Sequence, residues 1–258
     1  MGNEDYDQYM CSEWEMFVRQ PARAQASLDA VSEISIARVL DIGCGAGHEM
    51  LPFVRGGAFG VGVDIAPSSG ILGRELFTKE GYGDRVAFMQ GVAEHLPFRS
   101  ETFDALVCRG VLPYTDNAQA LAEMSRVLRP NGVLLLKILG ARYYLGELWH
   151  GLLHGQFQHM AHAARVMVVG GIYHVTGYQV RNRPIRNKTL PSRWLHRLIR
   201  NETFSSRWLL KRELARNSLS IVKEMPESNP WTPSFAIVKN AIEDGIVTQS
   251  KLGLPRKT

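Results

Sequence analysis

A chain of 258 residues, 45% of them hydrophobic and with a formal charge of +5, is long enough for one substantial core, either as a single α/β domain or as a domain with an insertion. The acidic, polar start (Met1 to Asp7) lacks the basic and apolar regions of a secretory signal, Tyr6 stands where a myristoylation pattern wants Ser or Thr, and the apolar runs 133–139 and 166–173 are far below the roughly 20 residues of a membrane span. Three scattered cysteines, Cys11, Cys44 and Cys108, fit neither a disulfide framework nor a zinc knuckle, so a cytoplasmic, reducing setting is expected.

Residues 6–19 mix Tyr6, Tyr9, Trp14 and Phe17 with acids, and Pro21 opens a helix to about Val31; together they read as a lid. A buried strand is predicted over 37–42, ending in a glycine-rich turn, followed by a helix over 47–55. The alternation continues with a strand over 59–64, a helix over 67–79, and strands over 85–90 and 103–108. A helix over 116–128 presents Leu121, Met124 and Leu128 on one face, with Asp116 or Thr115 as its cap; Pro130-Asn131-Gly132 stops it, and an aliphatic strand covers 133–139. A largely helical stretch runs from 141 to about 218, followed by strands over 219–223 and 234–239 around Pro226, Asn229, Pro230 and Pro233, then a short helix and tail after Asn240. The pattern predicts a doubly wound, mostly parallel α/β sheet of seven strands with helices on both faces, and a helical cap inserted after strand five. Its divisions are lid helices at 1–33, a cofactor-binding core at 34–140, a basic substrate-side cap at 141–217, and the last two strands with a tail at 218–258.

The most informative segment is Asp41-Ile42-Gly43-Cys44-Gly45-Ala46-Gly47, at the end of a strand. Glycine there lets a ligand lie against the turn, and the following helix start offers free N–H groups. A nicotinamide fingerprint fails because its last glycine position is His48, and a P-loop fails because no Gly-Lys-Ser or Gly-Lys-Thr follows. With its acid and G-x-G-x-G turn the chain resembles the Rossmann-like, class I S-adenosylmethionine-dependent methyltransferases. The likeness continues in Asp64 at the end of strand two, in Gln90-Gly91-Val92-Ala93-Glu94-His95-Leu96-Pro97-Phe98, in Phe103-Asp104-Ala105-Leu106-Val107, and in Ser125 to Gly132, which is similar to the family's R-x-L-x-P-G-G turn. It covers about residues 37–140.

The resemblance implies S-adenosylmethionine as cofactor and S-adenosylhomocysteine as product, with Asp41, Gly43, Gly45, Gly47, Asp64, Ile65, Ala93, Glu94 and Arg109 around it. Asp64 takes the place of the ribose-binding acid. Many relatives carry Asp where this chain has Val92, which leaves the adenine amino group to Glu94, a backbone carbonyl or water. Arg109 would meet the cofactor carboxylate or an acidic acceptor, or form a surface ion pair.

Methyl transfer from a sulfonium depends mainly on positioning. If the acceptor must lose a proton, His48, His95, Tyr114, Tyr173 and His174 are candidates, Tyr114, His174 and His48 foremost, although a packing or surface role accounts better for each taken alone. The post-strand-four segment Cys108-Arg109-Gly110 lacks the Asn/Asp-Pro-Pro-Tyr motif of nucleic-acid N-methyltransferases, and Cys108 lacks the Pro-Cys context of cytosine C5 enzymes, so it reads as a buried strand residue. Overall the chain resembles the small-molecule and quinone-biosynthesis branch. Glu147, His150 and His154 share a helix face, with His159 and His162 close behind, but a solvated face accounts for the spacing and no metal is predicted. Tyr143, Tyr144, Leu148, Trp149, Leu152, Leu153 and Phe157 either line an apolar acceptor pocket or form plain core.

Residues 141–220 carry a net charge of +10, leaving −5 on the rest. The run Arg181, Arg183, Arg186, Lys188, Arg193, Arg197 and Arg200, interleaved with Trp194, suits an acidic small molecule, an anionic membrane surface or RNA. A small-molecule methyltransferase is the leading reading, against an RNA methyltransferase with a basic cap or a non-catalytic protein that keeps the cofactor fold.

Overall fold

The computed structural model describes residues 3–179, 202–203, 206–227, 229, 231–243 and 246–248; the basic run from Arg181 to Arg200, Trp194 included, lies outside them. Seven strands form one sheet in the order β3-β2-β1-β4-β5-β7-β6. They are β1 (Arg38–Ile42), β2 (Phe59–Asp64), β3 (Val86–Gln90), β4 (Phe103–Arg109), β5 (Leu128–Lys137), β6 (Leu219–Met225) and β7 (Ser234–Lys239). The first five pair in parallel, whereas β7 runs antiparallel to both β5 and β6. The sheet is therefore mixed, because the short proline-bearing link between β6 and β7 can only reverse the chain.

Side chains alternate across this sheet with a period of two. Leu40, Leu106, Cys108, Leu134 and Leu136 enter one core with Leu121 and Met124 of α5 (Asn117–Val127) and with Leu210 and Leu214 of α8 (Arg207–Arg216). Val39, Ala105, Val107, Val133 and Leu135 enter the other. That face is covered by α1 (Asn3–Arg19), α2 (Pro21–Asp29), α3 (Leu51–Arg55) and α4 (Pro67–Lys79), through Met10, Trp14, Phe53 and Phe77. Burial on both faces is why these strands are nearly unbroken runs of Val, Ile and Leu.

Three local expectations are corrected. The helix expected over 47–55 is a 3-10 turn, His48–Met50, followed by α3, with Pro52 in the first turn of α3, where its missing N–H costs nothing. Pro130-Asn131-Gly132 does not separate helix from strand: α5 ends at Val127 and β5 begins at Leu128. The three residues form a bulge, with Phe103 paired to Leu128 and Ala105 to Val133, and Asn131 at φ +61°. Beyond Asn240 there is no helix among the described residues but a small antiparallel pair, β8 (Ala241–Glu243) and β9 (Ile246–Thr248), in keeping with the β-branched Ile246-Val247-Thr248. After β5 come α6 (Ala141–Leu153) and α7 (Phe157–Thr176), which pack through Tyr144, Ala163 and Val166. They approach closely at Gly151, where a Cβ would lie 2.7 Å from Met160 Cγ.

Candidate functional site

The glycine turn leaves β1 at its carboxyl end, where the N–H groups of Gly43 and Cys44 both donate to Val63 O of β2, at 2.7 and 3.1 Å. Gly43 needs its lack of a side chain twice over: its φ is +66°, and a Cβ would sit 2.2 Å from Val111 Cγ2. Asp64 closes the turn from the next strand. Its Oδ2 accepts the Gly45 N–H at 2.9 Å and its Oδ1 the Ala66 N–H at 2.9 Å. The Tyr6 hydroxyl of α1 also donates to Asp64 Oδ2, at 3.4 Å. Burial, and then the Asp64 carboxylate, raise that phenol far above its usual range.

Asp41 lies behind the same turn, only 2% exposed, and its Oδ2 has no hydrogen-bond partner among the described residues. Burial first, then Glu49 and Asp64, push its pKa well above the ordinary carboxylate range. A buried carboxylate oxygen without a donor is costly unless a ligand supplies one. A cavity of about 100 Å³ collects Tyr6, Met10, Asp41, Gly43, Gly45 and Arg109 on its walls. A larger, open hollow of about 770 Å³ between α4 and β3 shares Ala66 and Gln90 with the edge of this region but none of its acids. The glycine turn and Asp41 thus border the smaller cavity, which α1 covers: Met10 is buried, Trp14 meets Phe77 edge-on at 5.1 Å, and Phe17 lies 5.4 Å from His48.

Below the turn is a network of charges. Arg109 is buried and is not the surface ion pair that was one expectation: its Nε is 3.2 Å from Glu49 Oε2 and its Nη1 is 2.7 Å from Glu227 Oε1. Ser27 Oγ accepts from its Nη2 at 3.2 Å. Glu49 also pairs with Arg23 of α2, and Glu227 with Lys137 at 2.9 Å and with Ser234. Lys137 and Ser234 hold Glu227 below the usual carboxylate range despite burial, which acts the other way.

The remaining expected residues divide. Gly47 is at φ +83° and a Cβ there would meet Met50 Cε at 2.7 Å, so packing explains it. Ile65 follows Asp64 and is 71% exposed, with its carbonyl held by Gln90 at 3.0 Å. Ala93 is buried, and Glu94 Oε1 accepts the Asp116 N–H at 2.9 Å, tying the loop to the start of α5. Asp116 caps that helix through Gln119 N, as expected. His48 borders the cavity, and burial pushes its imidazole down to about 4. Tyr114 lies exposed in the 3-10 turn Leu112–Tyr114 after β4, while His95 is exposed. Tyr173 is buried on α7, its phenol pushed up to about 12 by burial. His174 is on the same helix, its Nδ1 2.7 Å from Ser206 Oγ, which caps α8, and its ring edge-on to Trp208.

The histidines of α6 and α7 do not converge. His150 and His154 stack on each other, His162 Nε2 lies 2.9 Å from Glu202 Oε2, and no group of three metal-ligating side chains occurs among the described residues. Cys108 is a buried strand residue, with its thiol pushed up by burial. Tyr144 is buried core and donates to Glu202 Oε1 at 2.9 Å, whereas Trp149, Leu152, Leu153 and Phe157 are exposed.

Sequence reasoning missed Tyr6 as a partner of Asp64, Arg23 and Glu49 as the floor of the cavity, Glu227, and Glu202. Glu49 was within reach, two residues beyond the glycine turn. The others are brought in by distant elements, and no local spacing signals them. The clamp on the Leu96-Pro97-Phe98 loop was also missed: Arg126 donates to the carbonyls of Phe98 and Leu96 at 2.7 and 3.0 Å, and Glu123 Oε2 accepts the Leu96 N–H at 2.8 Å.

Two acids flank one glycine turn at the carboxyl end of a sheet ordered 3-2-1-4-5-7-6, and the family model described as "Methyltransferase domain" matches residues 40–136. On this stretch the chain is similar to class I S-adenosylmethionine-dependent methyltransferases, quinone-biosynthesis enzymes among them. The chain is 44% identical over 104 residues to a ubiquinone/menaquinone biosynthesis C-methyltransferase, UbiE, of Hahella chejuensis, covering 39% of this chain and 42% of that one. It is 37% identical over 98 residues to a sterol 4-C-methyltransferase, strm-1, of Caenorhabditis elegans, covering 38% of this chain and 29% of the relative. The chain thus spans less than half the length of these curated relatives. A solved geranyl diphosphate C-methyltransferase from Streptomyces coelicolor, bound to Mg2+, geranyl diphosphate and S-adenosylhomocysteine, shares the fold with a TM-score of 0.56 at 16% identity, over 85% of this chain and 79% of that one. The family's cofactor is S-adenosylmethionine.

Proposed function

We propose that this chain transfers the methyl group of S-adenosylmethionine to a small-molecule acceptor. The observation that carries the reading is the buried Asp41 Oδ2, without a hydrogen-bond partner among the described residues, beside a glycine turn whose other flank is the Asp64 carboxylate. Asp41 would accept from the ammonium group of the cofactor, and Asp64 from its ribose hydroxyls once Tyr6 has moved aside. Gly43 and Gly45 let the chain of the cofactor lie against the turn, Ile65 offers an apolar surface to the base, and Ala93 and Glu94 line the loop on the adenine side. Arg109 adds positive charge to the floor of the cavity. When bound, the cofactor supplies a sulfonium-activated methyl group; the protein's part is to align an acceptor with it and to exclude water.

The acceptor side is assigned to the segment after β4 and to the helices after β5, which act as the cap. Thr203 N donates to Pro113 O at 3.0 Å, and this brings Glu202, with Tyr144 and His162 on its two oxygens, beside Tyr114. For an acceptor that must lose a proton, Tyr114 and the Glu202–His162 pair are the groups on that side. Relatives named as quinone-biosynthesis and sterol methyltransferases direct a screen toward apolar, ring-bearing acceptors.

Calorimetric titration with S-adenosylmethionine, S-adenosylhomocysteine and NAD tests the reading. Binding of the first two and not the third is expected. No binding of either sulfur compound would leave a non-catalytic relative of the fold. Where binding is found, release of S-adenosylhomocysteine with candidate acceptors tests the transfer itself.

A further inference from the structure

Helices α6 and α7 carry apolar side chains on their outsides as well as between them. On α6, Leu145, Trp149 and Leu152 recur at i, i+4 and i+7, the spacing of one helix face, and all three are exposed, Trp149 by 63%. Exposed Leu153 and Phe157 carry the surface across the three-residue connection. On α7, Val168, Ile172 and Val175 repeat the same spacing, with Phe157 77% and Val175 81% exposed. A helix of a globular protein normally turns one such stripe inward and leaves its other face polar. Here the inward stripe is already present in Tyr144, Ala163, Val166 and Tyr173, so the outer one is additional. So many exposed apolar side chains on two neighbouring helices mark a binding face.

Charge indicates the occupant. Helix α7 contains no acid, and Glu147 is the one acid of α6. The 20 residues 181–200, which follow soon after α7 in the sequence, hold seven Lys or Arg and no acid. A second copy of this chain would carry the same basic surplus and be repelled by it, whereas an anionic bilayer takes up apolar and aromatic side chains among its headgroups and attracts Lys and Arg of the same chain. No described helix is long and apolar enough to cross a membrane, so the geometry that remains is a helix pair lying in the interface.

We propose that the outer face of α6 and α7 seats on an anionic lipid surface, with Trp149, Leu152, Leu153 and Phe157 at the contact. The proposal does not rest on the cofactor reading. The test is sedimentation of the full chain with sucrose-loaded vesicles of phosphatidylcholine alone and of phosphatidylcholine mixed with phosphatidylglycerol. Binding to the mixed vesicles is expected, weakening as salt is raised, with little binding to phosphatidylcholine alone. The double substitution Trp149→Glu/Phe157→Glu should lower the bound fraction at least tenfold, and Leu152→Ser/Leu153→Ser should lower it too, both with unchanged circular dichroism. Brominated phosphatidylglycerol should quench the fluorescence of the wild type more than that of Trp149→Phe. Failure to bind the mixed vesicles, or undiminished binding by both variants, would overturn the proposal. So would a concentration-dependent dimer that the same substitutions split, since the face would then belong to a second copy.

Discussion

The Tyr6 hydroxyl reaches across from the first helix to Asp64 Oδ2, the same oxygen that accepts the Gly45 amide. The N-terminal helix thus closes on the acid proposed to hold the ribose, over a cavity of about 100 Å³. Small-molecule sites commonly need roughly 300 Å³ or more, so α1 must shift for the cofactor to enter. Tyr6→Phe removes a long hydrogen bond without changing shape, and should tighten S-adenosylmethionine binding by up to about threefold, on the order of 0.5 kcal/mol. Weaker binding in calorimetry would mean that Tyr6 contacts the cofactor and does not compete with it.

Asp64→Ala removes the proposed ribose acceptor, and two charge-assisted hydrogen bonds at the lower end of their range correspond to roughly 100-fold in affinity. The same change strands the Gly45 and Ala66 amides, which both end on this carboxylate. A lower melting temperature should therefore accompany the lost affinity, with circular dichroism unchanged. Unaltered affinity would place the ribose elsewhere.

Asp41 predicts a proton signature. Burial and its acidic neighbours hold its pKa well above the usual range in the free protein. A bound cation favours the ionised form and lowers that pKa, so binding releases a proton at pH values between the two. Affinity should fall as pH drops through the raised value. Titrations in buffers of different ionisation heat should report proton release that Asp41→Asn abolishes; identical apparent heats in all buffers would count against this placement.

His48 gives a stability prediction with a definite sign. Its imidazole is held down to about 4 in the folded protein, with burial as the main cause. An unfolded histidine titrates at about 6.5, so between these values the unfolded chain binds more protons. Stability is then lost as pH falls from about 6.5 toward 4. His48→Gln should lack this component, so the wild-type melting temperature should drop faster than the variant's across that window. Parallel curves would show that His48 does not titrate as described.

Arg109 and Glu227 pair at 2.7 Å with side chains only 6% and 11% exposed. Breaking such a pair from one side leaves an uncompensated charge and typically costs about 3–5 kcal/mol. Glu227→Gln should cost less than Arg109→Met, because Arg109 also holds Glu49. Denaturant unfolding of both variants measures the order, and the reverse order would mean that Lys137 and Ser234, not Arg109, dominate the network.

Much of the fold was legible because parallel strands covered on both faces are continuous aliphatic runs, and β2, α4 and β7 follow their expected bounds. The Pro130-Asn131-Gly132 segment misled because the same residues that stop a helix also make a bulge, and only the pairing of Phe103 with Leu128 decides between them. The placement of the glycine turn and of its two acids was equally legible, since positive-φ glycines between a strand and a helix mark a tight turn. Arg109 was visible as a residue but not as a buried ion pair, because its partners Glu49 and Glu227 lie 60 and 118 positions away in the chain.

The sequence by itself determined where a side-chain-free turn opens between a strand and a helix, which acid ends the next strand, and where the basic surplus lies. These are local properties, set by backbone sterics and by alternation of apolar residues. Only the tertiary structure decided that α1 closes over the turn, that Tyr6 shares Asp64 with Gly45, that Asp41 Oδ2 is left without a donor among the described residues, and that two apolar faces of α6 and α7 point outward. Each depends on what distant segments bring together or leave uncovered, and burial is a property of the assembled chain rather than of any stretch within it.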